Sequence, residues 1–116
     1  MISKELLKGS LKSIVLKLLS ENSRMYGYEI TQKVETLASG QIKLTFGALY
    51  PILHKLETEG AVITETEIMN GRARIYYKLT PTGKSVAAEK VKELQEFIEM
   101  ITILIKPGFS LEVCKI

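Results

Sequence analysis

Apolar positions recur along this chain with two different periods, and the change from one to the other divides it into elements. Leu7, Leu11, Ile14, Val15, Leu18 and Leu19 fall at three- and four-residue steps, which predicts one amphipathic helix from about Lys4 to Ser20 with Ser3 as its cap. Ile30, Val34 and Leu37 mark the buried face of a second helix over about Tyr26 to Ala38, and Gly40 is placed to end it. Ile42-Lys43-Leu44 reads as a short extended link with room for one small strand. A third helix is capped by Thr45, buries Leu49, Ile52, Leu53 and Leu56, and stops at Gly60. Pro51 lies inside it, but the carbonyl its ring would press on belongs to Gly47, so a loosened first turn and a bend are expected, not a break. The period then becomes two. Ala61 to Ile68 and Arg72 to Leu79 are rich in β-branched and aromatic residues and flank Asn70-Gly71, a strong hairpin signal. Ile75, Tyr77 and Leu79 share one face of the second strand; Arg72, Arg74, Tyr76 and Lys78 share the other. Thr80 and Pro81 open a last helix whose Ala87, Val91, Leu94, Ile98, Ile101 and Ile105 form a heptad seam, halted by Lys106-Pro107-Gly108.

Helix, helix, helix, hairpin, long helix is a mainly α fold with a small β-hairpin: a winged helix-turn-helix over residues 1–80, followed over 81–116 by a long C-terminal dimerisation helix and tail. The seam on the last helix must be buried against something. A second copy of the chain is the economical partner, with Leu7 and Leu11 of the first helix joining Ala87, Val91, Leu94, Ile98, Ile101 and Ile105 in a two-fold interface. Packing on the first helix of the same chain is the competing use of the stripe, and both can hold. The role of the apolar Phe109 to Ile116 tail is not decided by its sequence.

Composition narrows the picture. With 116 residues and 46% apolar content the chain can build a core, and no apolar run approaches the length of a membrane span. No secretory segment is apparent, so a soluble cytoplasmic protein is expected. The net charge of +3 is modest, but all of the excess lies before Thr80. The single Cys114 excludes an intrachain disulfide. One His, one Cys and no Asp leave neither a metal-ligand set nor a catalytic triad, and no glycine-rich phosphate loop is present. An enzyme is not expected, and no cofactor or metal is implied.

The face of the third helix turned away from its leucines carries Gly47, Pro51, His54 and Thr58, flanked by Tyr50 and Lys55. The free amides at Thr45, Phe46 and Gly47 suit a phosphate. Gly47 and Ala48 are small enough to let the helix start approach a duplex, and Ala48 or Pro51 can meet a thymine methyl. Tyr50, His54 and Lys55 can reach bases or phosphates in the major groove. On the hairpin, Arg72 and Arg74 would reach the backbone or the neighbouring minor groove. The same layout also fits a winged-helix module that binds protein or a small ligand and no DNA. The space between paired last helices, near Phe97, Ile101 and the first-helix leucines, can take an apolar molecule.

Four motifs sharpen this reading: Tyr26-Gly27-Tyr28-Glu29-Ile30; Gly47-Ala48-Leu49-Tyr50-Pro51-Ile52-Leu53; Leu56-Glu57 with Gly60; and Tyr76-Tyr77-Lys78-Leu79-Thr80-Pro81-Thr82-Gly83. In that order and spacing they resemble the PadR family of bacterial transcriptional regulators, over roughly residues 5 to 105. The resemblance implies a dimeric winged-helix repressor that joins through its C-terminal helix, binds a palindromic double-stranded operator and releases it to a small planar or phenolic effector. It further implies recognition contacts from Thr45 to Lys55 with Tyr28 in support, and wing contacts from Arg72 and Arg74. In effector-binding members an aromatic of the last helix stacks on the ligand; this chain has no Trp, and Phe97 is the aromatic its last helix offers.

Overall fold

The computed structural model describes residues 1–107; the expectations for the Phe109–Ile116 tail and Cys114 lie outside the described residues. Eight elements follow in order: α1 (Lys4–Leu7), α2 (Leu11–Glu21), β1 (Met25–Tyr26), α3 (Gly27–Leu37), α4 (Phe46–Thr58), β2 (Val62–Met69), β3 (Arg72–Leu79) and α5 (Pro81–Ile105). The expected first helix is therefore two. Ser10 donates both its amide, at 2.9 Å, and its hydroxyl, at 3.0 Å, to the Leu7 carbonyl, and this turn closes α1 before α2 begins. Gly9 sits within it, where a glycine favours the break, and a serine that bonds the preceding backbone competes with the helix ladder.

The strands form one antiparallel sheet in the order β1-β3-β2. The small extra strand is Met25–Tyr26, paired to Tyr77 and Tyr76, and not Ile42–Leu44, which stays an irregular link that drops Leu44 into the core. β2 and β3 pair from Val62↔Leu79 to Met69↔Arg72 around Asn70 and Gly71, whose φ values of 52° and 77° are those of a primed two-residue turn. Near the helices the hairpin is buried through Val62, Tyr77 and Leu79. Farther out it projects as a wing: Ile75 shares the core-facing side as expected but lies past the edge of the core, 47% exposed.

Leu16, Ile30, Leu49, Leu53, Leu56, Val15 and Val62 are fully enclosed, so α2, α3, α4 and the base of the hairpin share one core. Leu37 departs from its expected place. It is 67% exposed in the last turn of α3, because the buried set on that helix ends at Val34. α5 is anchored at its start. Thr80 accepts from the Gly83 amide at 3.0 Å and donates to the Gly60 carbonyl at 2.6 Å, while Gly83 and Ala87 are buried. Val91 and Leu94 are half-buried, and every described residue from Gln95 onward is exposed. The molecule is correspondingly long, 66 × 30 × 20 Å. Its radius of gyration of 17.3 Å exceeds the roughly 13 Å of a compact domain of this length.

Candidate nucleic-acid interface

Thr45 is extended and its hydroxyl accepts from the Ala48 amide at 3.2 Å, so α4 begins with one of its free amides capped and the others open. The helix runs unbroken through Pro51. Its core face is buried at Leu49, Leu53 and Leu56, with Ile52 half-buried. Gly47, Pro51, His54 and Thr58 are exposed opposite, with Tyr50 and Lys55 on the flanks. Ala48 differs from the expectation: it is half-buried against the core, so its methyl sits at the side of the open face and not in its centre.

Phe46 and Tyr50, one turn apart, form an aromatic edge with ring centroids 5.7 Å apart. Tyr50 leans over the start of α3, where an added Cβ on Gly27 would stand 2.5 Å from its hydroxyl oxygen. That close approach explains the glycine in the first motif: it leaves room for the Tyr50 ring. Glu29 supports the same helix start by accepting from the Tyr26 amide at 3.1 Å.

On the outer face of the sheet the Arg74 guanidinium stacks 4.1 Å from the Tyr26 ring and donates to the Tyr76 hydroxyl at 3.5 Å and to Met69 Sδ at 3.2 Å. The bond to Tyr76 is the main reason its proton is held above the ordinary arginine range. Tyr26 meets Tyr76 edge to face, and Arg24 covers the Tyr76 ring at 3.9 Å while pairing with Glu65 and Glu67. Two arginines thus sandwich a pair of tyrosines across β1 and β3, in the order Arg24, Tyr76, Tyr26, Arg74, while β2 supplies the glutamates that hold Arg24. Arg24 carries no signal of its own in the sequence, and Tyr26, although part of the first motif, shows no sign of its stacking role there, because both places depend on β1, and a two-residue strand shows no period. Arg24 is neutralised by two glutamates and braces the wing. Arg72, at the tip, is exposed and makes no ion pair among the described residues.

These elements enclose an open groove of about 670 Å³ between the starts of α3 and α4 and the wing. It brings together Tyr28, Phe46, Tyr50, Arg72 and Arg74, five of the residues expected to touch DNA. Thr45, Gly47, Pro51, His54 and Lys55 lie outside this groove, on the adjoining surface of α4. Burial pushes the Tyr77 phenol, at the groove's floor, above its usual range. Phe97 and Ile101 stand exposed on α5, outside the groove. Of the residues expected between two copies, Leu7 and Ala87 are already buried within the chain; Leu11, Val91 and Leu94 are half-buried; Ile98, Ile101 and Ile105 are exposed. No helix of the described residues is long and apolar enough to cross a membrane, and none of them form a cluster of three metal-ligating groups.

A family model described as the transcriptional regulator PadR-like family matches residues 15–89. Transcriptional regulator Rv3488 of Mycobacterium tuberculosis is 33% identical over 75 residues, covering 65% of this chain and 67% of that protein. Among solved structures, a transcriptional regulator from Clostridium thermocellum superposes with a TM-score of 0.80 at 25% identity, over 89% of this chain and all of that one. A PadR family transcriptional regulator from Eggerthella lenta superposes with a TM-score of 0.68 at 30% identity, over 90% of this chain and 85% of that one.

Proposed function

The chain belongs to the PadR-like family of transcriptional regulators, which is not a family of enzymes, and from that membership we propose that it is a dimeric, sequence-specific DNA-binding repressor working in the cytoplasm. The observation that carries the reading is the open side of α4, continuous with an aromatic and basic groove that ends on the wing. A helix about 10–12 Å across fits a major groove about 12 Å wide. With α4 seated there, Tyr50, Pro51, His54 and Lys55 face base edges, and the amides at Thr45, Phe46 and Gly47 face a phosphate. Arg72 is free to follow the backbone outward, and Arg74, held by Tyr26 and Tyr76, is presented at the groove's rim. Two copies joined through Ile98, Ile101 and Ile105 would read a palindromic operator, and an apolar effector lodged near Phe97 and Ile101 would alter the spacing of the two reading heads.

Selection of bound sites from random duplex, followed by gel-shift titration, tests this. A preferred, palindromic site bound with steep salt dependence is expected. Arg72→Ala with Arg74→Ala should weaken all duplexes alike, whereas Tyr50→Ala should lower affinity for the selected site more than for random sequence. No duplex affinity at low salt, with capture of a protein partner instead, would replace the reading with a winged-helix interaction module.

A further inference from the structure

A second cavity, of about 290 Å³, lies between α1 and the start of α4; Leu7, Leu11 and Leu44 line it together with Lys4, Lys8 and Lys43, beside Thr45, Gly47 and Ala48. It sits on the other side of α4 from the groove that leads to the wing. At about 100° per residue, Phe46 and Tyr50, which line the wing-side groove, point roughly 170° away from Ala48 and Lys55, with Gly47 and His54 between them. The open face of α4 is thus flanked by one basic surface on each side.

The lysines on the second flank differ from others on the same part of the molecule. Lys12, four residues after Lys8 and beyond the turn that ends α1, is tied to Glu59 at 3.0 Å, and Lys17 to Glu21 at 3.5 Å. Lys4, Lys8 and Lys43 are exposed and make no ion pair among the described residues. Three unneutralised ammonium groups, two from α1 and its C-cap and one from the link before α4, gathered beside the positively polarised end of a helix, form a surface for an extended anion.

We propose that Lys4, Lys8 and Lys43 are a second set of DNA phosphate contacts, engaging the strand across the major groove from the one the wing meets. The inference rests on the DNA-binding reading above and extends it. A major groove has a phosphate backbone on each wall, and a helix that fills it brings one flank to each. With the wing alone, a protomer would hold one wall; with the lysine cluster it clamps both and fixes how deeply α4 sits. Phosphate contacts carry no base preference, so the cluster sets affinity and register, not sequence.

The test uses the full chain and a duplex it binds, with affinity measured against salt. Replacing Lys4, Lys8 and Lys43 together by Gln should flatten the slope of log affinity against log salt by about 0.9 for each phosphate no longer neutralised, equivalent to roughly fivefold in affinity per phosphate near physiological salt. The fall in affinity should be equal on selected and random duplex. Replacing the three by Arg should retain binding. Lys84, Lys90 and Lys92 of α5, changed together to Gln, serve as a control of equal charge, since α5 starts beside Gly60, at the opposite end of α4. A wild-type slope in the cluster variant, or an equal fall in the control, overturns the clamp while leaving the regulator reading intact provided that Arg72→Ala with Arg74→Ala still weakens binding. Absence of duplex binding by the unaltered protein overturns both.

Discussion

Two glycines that look alike in the sequence motifs are required for different reasons. An added Cβ at Gly83 would collide with the Ala61 carbonyl oxygen and lie 2.8 Å from its carbon, both backbone atoms of a carbonyl that Thr80 also holds in place. Nothing there can swing aside. Gly83→Ala is expected to destabilise the fold by about 3 kcal/mol, at the upper end of overpacking penalties, seen as a lower urea midpoint with little change in slope. At Gly27 the added Cβ would meet the hydroxyl end of Tyr50, which can rotate away. Gly27→Ala should therefore stay within about 1 kcal/mol of the parent, since Ala favours the helix by a similar amount, yet bind duplex more weakly as Tyr50 is displaced. If Gly27→Ala unfolded as readily as Gly83→Ala, Tyr50 would be a core residue and not a movable reading group. The motifs mark both glycines; what each one touches comes from the approach of distant segments.

At the scale of elements, what is legible in the sequence is what depends on near neighbours. Thr45 as cap, the leucine stripe of α4, the Asn70-Gly71 turn and the Thr80-Pro81 helix start are each specified within a few residues. β1 is not legible, because its two residues owe their conformation to pairing with Tyr76 and Tyr77, far along the chain. The break at Gly9 is hidden because the leucine spacing carries straight across it. The candidate site divides in the same way: Tyr50, Arg72 and Arg74 are visible in the pattern, whereas the stacking by which Arg24 and Tyr26 brace Tyr76 and Arg74 needs β1 to be in place. Pro51 is a conflict visible from local chemistry alone. α4 continues through it with Gly47 four residues back and without the amide that would donate to that carbonyl. Pro51→Ala should restore that bond and raise stability by about 1–3 kcal/mol in thermal or urea unfolding. An unchanged or lower stability would mean that the proline ring contributes packing that offsets the missing bond.

The whole molecule is shaped by how far α5 outruns its own core. After Leu94 the helix leaves the winged-helix body and carries Phe97, Ile98, Ile101, Leu104 and Ile105 in the open, with Ile98 54% and Ile105 73% exposed. About eleven residues at 1.5 Å each is some 16 Å of unsupported helix. An exposed apolar stretch of that size, on a helix not long and apolar enough to cross a membrane, signals an interface. The heptad seam thus divides into two parts. Ala87, Val91 and Leu94 are used largely inside the chain, whereas Ile98, Ile101 and Ile105 stay uncovered and are the part the proposed dimer would use. Two copies packed there would bury each other's stripe. The unaltered protein is therefore expected to sediment as a dimer at micromolar concentration. Ile98→Glu with Ile101→Glu should sediment as a monomer whose winged-helix body still unfolds cooperatively, with a midpoint that no longer depends on protein concentration, because neither side chain contributes to that core. The monomer should still bind duplex through α4 and the wing, but its affinity for a palindrome should fall to that for a single half-site, since the second reading head is no longer carried along. A monomeric parent protein, or a double variant that keeps both its dimer and its palindrome affinity, would place the two-fold contact elsewhere on the molecule.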